Sequence, residues 1–336
     1  SLLPRDVSPL VMRMARLVPS MPTLEATLSR LPHCNIVHAF NISWECPLVA
    51  AWQFVQDREL PLVVSPFAHF GTKRDDRIVH NNTMDHQLRI LQHADAVLAL
   101  TPTERRELAD CDIEPKRIRV VGGGVKIELS EKGLRWKEIL ERYNLATPFV
   151  LFIGRLSRDK GAMKAAEAIL SLHRQGRDVH LVLVGQMTSA FERYHRTLPS
   201  VEREMIQSLG LVDERTKHAL LEASSILVLP SCVESFGIVL LEAWAHGKPV
   251  VAARAGGIPD VVDGGKDGFL VPCGDPQGLA RAVSRLLDDE LLAQRMGRKG
   301  RRKLSMHYSW RDVGDRVVDV YEDVLERTRV PGEDYS

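Results

Sequence analysis

Apolar residues along this chain fall into short runs separated by longer stretches with helical spacing. The runs Asn35–Phe40, Leu62–Ser65, Ala96–Thr101, Arg117–Val121, Phe149–Ile153, Val179–Gly185, Ser225–Pro230, Pro249–Ala252 and Phe269–Val271 are rich in β-branched residues and predict strands. Several do not alternate, as expected for strands covered on both faces. Helical spacing fills the intervals, for example at Asp159–Gln175 and Gln277–Asp289. Strand alternating with helix predicts an α/β fold of doubly wound parallel sheets with right-handed crossovers.

A charged helical pattern at Leu134–Arg142 stops at Asn144–Pro148, where proline breaks it ahead of a new apolar run. The expected division is therefore a first domain over 1–146, a second over 147–307 and a C-terminal segment over 308–336. In that last segment Trp310, Val313, Val317, Val320, Tyr321 and Val324 lie near one helical stripe. The stripe suits docking on either domain, including a return to the first. Near the start, Met12 to Leu17 mixes cations with apolar side chains. The stretch reads as a surface helix, with a peripheral membrane contact as the alternative.

A length of 336 residues suits two cores rather than one. Hydrophobic content of 44% beside 26% charged residues is that of a globular protein, and no apolar run reaches the roughly 20 residues of a membrane span. A net charge of +1 gives no bulk attraction for nucleic acid, so any anion must be held by local placement. No secretory leader is visible, and the start at Ser1 reads as a trimmed or partial chain. The five cysteines, Cys34, Cys46, Cys111, Cys232 and Cys273, are scattered, which favours reduced thiols and a cytoplasmic setting, extending to the inner membrane face.

Two segments carry the candidate chemistry. The first, Gly154-Arg155-Leu156-Ser157-Arg158-Asp159-Lys160-Gly161, follows a strand, and open parallel sheets bind ligands beyond the carboxyl ends of their strands. Arginine can grip a phosphate with paired hydrogen bonds, and lysine adds a compact charge. The second runs from Ser231 through Glu234, Ser235, Phe236, Gly237 and Ile238 to Glu242. There the chain turns from a strand into a helix expected to begin near Phe236, whose first amides can accept a phosphate. Glu242 sits in an apolar helix, and a covered carboxylate requires partners. Ribose hydroxyls would supply them; a helix-surface pair with His246 is the plainer alternative. Glu234 would accept from sugar hydroxyls, or simply favour the helix dipole. Together the two segments read as a site for a sugar joined to a diphosphate.

These residues resemble the retaining, nucleotide-sugar-dependent glycosyltransferases of family four, which have the GT-B fold of two Rossmann-like domains facing a cleft. The likeness runs from about Asn35 to Leu325. It rests on the Glu-x7-Glu motif at Glu234 and Glu242, the element from Gly154 to Gly161, the turn Gly256-Gly257-Ile258-Pro259 and the run Asp267-Gly268-Phe269-Leu270-Val271-Pro272. The resemblance implies that Arg155 and Lys160 hold the donor diphosphate and Glu242 the ribose. It implies that Glu234 holds donor-sugar hydroxyls, with contacts from Gly154, Ser235, Phe236, Gly237 and Ile238, and that Gly185 and Leu209 lie near the base. In Pro66-Phe67-Ala68-His69-Phe70-Gly71, His69 takes the place of the histidine that faces the donor sugar; capping of a loop amide is its alternative. Catalytic roles thus fall to Glu234, His69, Arg155 and Lys160.

The implied reaction is retaining transfer of a sugar from a UDP- or GDP-type donor, with no further cofactor and no metal. The acceptor would be a lipid-linked sugar, a small metabolite or a polysaccharide. Three departures stand out. Gly123 replaces the asparagine, and Lys126 the aspartate, of the family's Asn-Gly-Val-Asp turn; Asp260 replaces a glutamate; and the family's first strand and its Gly-rich loop have no counterpart before Leu31. The last keeps one rival reading open, a binding protein that has lost transfer; a nucleotide-sugar epimerase is a further one, because the same fold serves both reactions. A hydride-transfer enzyme fits less well, because Gly122-Gly123-Gly124 is not followed by the third glycine of a dinucleotide fingerprint. His80, His86 and His93 read as a solvated face rather than a metal site.

Overall fold

The computed structural model describes residues 14–15, 20–70, 81–126 and 136–328. Most of the Met12–Leu17 stretch, together with Gly71 and His80, lies outside them. The chain forms two units, one of residues 1–122 with 313–336 and one of residues 123–312.

The first unit holds a four-stranded parallel sheet in the order β1-β2-β3-β4, formed by β1 (Val37–Phe40), β2 (Leu62–Ser65), β3 (Ala96–Ala99) and β4 (Ile118–Val120). Its central strands are buried throughout, and their side chains divide between two cores. Leu62, Val64, Val97 and Ala99 join one with Leu48, Val55 and Ile90. Val63, Ala96 and Leu98 join the other with Val320 and Val324. Lack of alternation in the sequence thus follows from apolar cover on both faces.

The C-terminal helix, Trp310–Thr328, supplies that second cover. Val313, Val320 and Val324 of the expected stripe are buried, while Trp310 is 60% exposed. His38 fastens the helix further, with Nδ1 2.5 Å from the Tyr321 hydroxyl and Nε2 2.9 Å from Ser65 Oγ. Burial pushes the His38 pKa down to about 4, so a neutral ring bridges the two hydroxyls.

The second unit is a six-stranded parallel sheet in the order β10-β9-β8-β5-β6-β7. Its strands are β5 (Phe149–Ile153), β6 (His180–Val184), β7 (Ile206–Gly210), β8 (Ile226–Leu229), β9 (Val250–Ala253) and β10 (Gly268–Val271). Strand β7 is an addition to the sequence reading. It lies at the sheet edge, mostly half-buried, and its Gln207, Ser208 and Gly210 give no apolar run.

The division of the chain also falls earlier than 146. The helix Trp136–Tyr143 packs on the helix Glu214–Ala223, and Gln207 Nε2 donates to Tyr143 O at 2.6 Å, so this segment belongs with the second sheet. His86 departs from the expected solvated face: it is buried, with Nε2 3.5 Å from Glu45.

The expectation of reduced thiols fails at one pair. Cys232, after β8, and Cys273, after β10, form a disulfide across a separation of 41 residues. Spacing in sequence could not reveal this, because the two loops are brought side by side only by the sheet order. Closing a loop of that length is worth up to about 4 kcal/mol in a chain-entropy account. Reduction by a dithiol is therefore expected to lower the denaturant midpoint of the chain, and a Cys273→Ser variant to abolish the effect of reductant. A midpoint indifferent to reductant would contradict the bridge.

Candidate active site

The strand order of the second unit reverses between β5 and β8, and such a switch point opens a crevice at the carboxyl ends of the strands. Three of the sequence motifs meet there. The Gly154–Gly161 loop leaves β5, the Glu234 loop leaves β8 and the Gly256-Gly257 turn leaves β9.

Their backbones touch. The Cys232 amide donates to Asp159 O at 3.0 Å, and Gly257 N–H donates to Glu234 O at 3.0 Å. Two glycines permit this approach. A Cβ on Gly161 would lie 2.2 Å from Pro230 O, and one on Gly256 would lie 2.0 Å from Glu234 O; both have positive φ, at 77° and 52°.

Side chains then join the loops. Lys160 Nζ donates to Glu234 Oε2 at 2.9 Å and to Val233 O at 3.1 Å. The pair is largely covered, with side-chain exposures of 23% and 15%. Arg155 is more open at 56% and pairs with Asp159 at 3.0 Å. Burial opposes charge on Asp159, yet hydrogen bonds from Ser157 and Arg155 hold its carboxyl below the usual range.

The helix after the Glu234 loop spans Ile238–Ala245, beginning later than expected, with Gly237 as its left-handed N-cap. Glu242 is thus about one turn into the helix. It does not pair with His246. Lys217, from the helix Glu214–Ala223, donates to Glu242 Oε1 at 2.7 Å and lies 2.8 Å from Glu214. Burial opposes the Lys217 charge, but its two carboxylate partners outweigh it and raise the pKa. His246 is otherwise engaged: its Nδ1 donates to Glu222 at 2.8 Å, and its Nε2 lies 3.0 Å from His218 Nδ1.

The other predicted site residues divide by role. Ser235 is half-buried and Ile238 is 39% exposed. Phe236 is buried, edge-on to Tyr308, with its ring 5.7 Å away. A Cβ on Gly123 would lie 2.9 Å from Phe236 and 2.8 Å from Ile238, which accounts for glycine in place of the family's asparagine by packing. Gly154 and Gly185 end β5 and β6: Gly154 N–H donates to Val184 O at 2.9 Å, and Gly185 N–H to Gly210 O at 2.8 Å. Leu209 is half-buried on β7.

His69 belongs to the first unit, half-buried in the loop after β2. A residue absent from the sequence reading, Glu104, fixes that loop. It is 3% exposed and accepts from Ala68 N–H at 2.8 Å and Leu100 N–H at 2.6 Å. Thr101 at the N-cap and Glu104 three residues on were the available signal, since Thr101 Oγ1 accepts from Glu104 N–H. Nothing in the sequence marked Lys217, whose partner lies 25 residues away.

Among the described residues no cluster of three or more His, Cys, Asp or Glu side chains could hold a metal ion. No helix among them is long and apolar enough to cross a membrane.

Two parallel α/β units of this construction define the GT-B class, and solved structures agree. Anabaena HepE in complex with UDP and glucose matches at a TM-score of 0.74, with 20% identity, over 94% of this chain and 81% of that one. Sucrose-phosphate synthase from Thermosynechococcus elongatus matches at 0.76, with 22% identity, over 97% and 81%. In sequence, residues 138–303 match the family described as Glycosyl transferases group 1, and residues 2–129 match Glycosyltransferase Family 4. A D-inositol 3-phosphate glycosyltransferase of Thermobifida fusca is 30% identical over 305 residues, 84% of this chain and 68% of that protein. The chain belongs to the group 1 glycosyltransferases, family 4 type. The D-inositol 3-phosphate glycosyltransferase of Acidothermus cellulolyticus is 35% identical over 258 residues, 71% of this chain but only 56% of that protein, so the chain spans little more than half of that relative.

Glu104 generates a pH prediction. Burial is the largest influence on its carboxyl and outweighs the two amide bonds, lifting its pKa from an ordinary 4.5 to about 7. The folded state then binds the proton more tightly than the unfolded chain, so this group's contribution to stability declines as pH rises from 4.5 to about 7. Denaturant midpoints measured across that window should fall less in Glu104→Gln than in the parent, and parallel curves would refute the account.

Proposed function

We propose that the chain is a retaining glycosyltransferase that moves a sugar from a UDP- or GDP-type donor to a hydroxyl acceptor. The supporting observation is the meeting of the Gly154–Gly161 loop with the Glu234 loop through Lys160, at the sheet's switch point. Arg155 and Lys160 take the diphosphate, helped by the amides at the start of the helix Ile238–Ala245. Both cations already carry an acid, so a diphosphate binds by exchange. Arg155, the more exposed, can swing from Asp159, whereas Lys160 keeps its hold on Val233 O while it turns.

Glu242 takes the ribose hydroxyls, and Lys217 fixes its orientation. Glu234 and His69 take the donor sugar, with Glu104 holding the His69 loop. As the bond from the anomeric carbon to phosphate breaks, charge grows on the leaving nucleoside diphosphate, and the fixed cations and amides stabilise it without a metal. The acceptor oxygen bonds on the same face, and its proton passes to a phosphate oxygen. The HepE complex with UDP and glucose supports a nucleotide-sugar donor here by likeness of fold.

Binding measurements separate these roles. Arg155→Ala and Lys160→Ala should each weaken nucleoside-diphosphate binding by about tenfold to a hundredfold, since one charge-assisted hydrogen bond contributes about 1.5–3 kcal/mol. Unchanged affinity by calorimetry would remove the phosphate assignment. Glu242→Gln should weaken nucleoside diphosphate but not free pyrophosphate, and Lys217→Met should give the same signature. Equal losses for both ligands would rule out a ribose contact. A thermal-shift screen of UDP, GDP and ADP sugars identifies the donor, because a ligand of the native state raises its melting temperature.

A further inference from the structure

The helix Glu290–His307 does two different things with its cations. Lys303 turns inward, donating to Asp263 and Asp267 at 3.0 Å each and to Val261 O at 2.7 Å. Arg295, Arg298, Lys299, Arg301 and Arg302 are all exposed. Among the described residues none of these five has a carboxylate partner; Arg298 alone makes a side-chain contact, a hydrogen bond to Gln294.

Their spacing is not random. At 3.6 residues per turn, Arg295, Arg298, Lys299 and Arg302 fall within an arc of about 100°, with Arg301 about 60° beyond its edge. Leu291 and Met306 continue the same arc at its two ends, and they are 75% and 57% exposed. The face turned away from the stripe is fixed by packing, with Met296, Gly300 and Leu304 buried. The outward stripe is therefore a rigid row of unneutralised cations about 22 Å long, with a bulky apolar side chain at each end.

From this arrangement we infer that the helix Glu290–His307 is a docking surface for a bilayer rich in anionic headgroups. Four or more cations on one helix face are the number that holds a segment to an acidic membrane surface. Exposed apolar ends reach toward the acyl boundary, as on interfacial helices. The chain as a whole is nearly neutral at +1, so attraction must come from local placement, and this stripe would orient the molecule on the surface. Single-stranded nucleic acid is the less suitable partner, because the stripe presents no aromatic ring for a base to stack on. The helix carries none of the proposed donor contacts, so the surface stands apart from the reading of the site.

The test is sedimentation of the full chain with vesicles of equal parts phosphatidylcholine and phosphatidylglycerol, beside vesicles of phosphatidylcholine alone. The parent should bind the anionic vesicles, bind the neutral ones far more weakly and lose binding as salt rises. The triple variant Arg298→Gln, Lys299→Gln, Arg302→Gln, with circular dichroism unchanged, should bind on the order of a hundredfold less, at about fivefold per cation removed. Three results would overturn the inference: a parent that ignores anionic vesicles, a variant that binds them as the parent does, or binding to duplex DNA with none to vesicles.

Discussion

The candidate site depends on one reach, from the end of β5 to the loop beyond β8, made by the Lys160 ammonium. Its two acceptors, Glu234 Oε2 and Val233 O, are on the far loop, and the ion pair is mostly shielded from water. A shielded pair is asymmetric in its energetics: removing either partner strands the other charge, which costs more than the intact pair contributes. The same contact thus sets the distance between the loops and the position of both charged groups. A second tie, Lys217 to Glu242, does the equivalent for the helix that follows. The two acids of the Glu-x7-Glu motif therefore each hold a lysine from a different element.

Much of this was legible in the sequence, and the limits have physical causes. Nine of the strand positions could be read directly from short runs rich in β-branched residues, most plainly the central ones that are covered on both faces. Edge strand β7 could not, because half-burial allows Gln207, Ser208 and Gly210. The loop motifs were legible because close backbone approach admits only glycine at Gly161 and Gly256. Pairings between distant elements left no trace: Lys217 with Glu242, Cys232 with Cys273 and His246 with Glu222 depend on sheet order, which periodicity does not encode. The division of the chain was misplaced for the same reason. Pro148 marks the end of a helix, but packing of that helix on Glu214–Ala223 decides which sheet owns it.

The first unit shows how buried polar groups can serve position rather than chemistry. Glu104 and His38 are both held in forms that burial selects, one with its carboxyl raised toward neutrality and one with its ring kept uncharged. Each ties a strand end to something beyond it. Glu104 joins the loops after β2 and β3, and His38 joins β1 to the C-terminal helix through Tyr321. A polar group so placed must be satisfied by particular partners, whereas an apolar one tolerates several.

The glycine contacts around Glu234 also bear on how such a chain can diversify. Any side chain added at Gly161 or Gly256 would drive two main chains apart, so the three loops can change only together, as a block. New ligand preferences must instead be written where substitutions disturb nothing beneath them. Met187 and Leu211, both exposed on the margin of the second sheet's carboxyl edge, are such places. Inheritance would then hold the frame constant while its rim drifts.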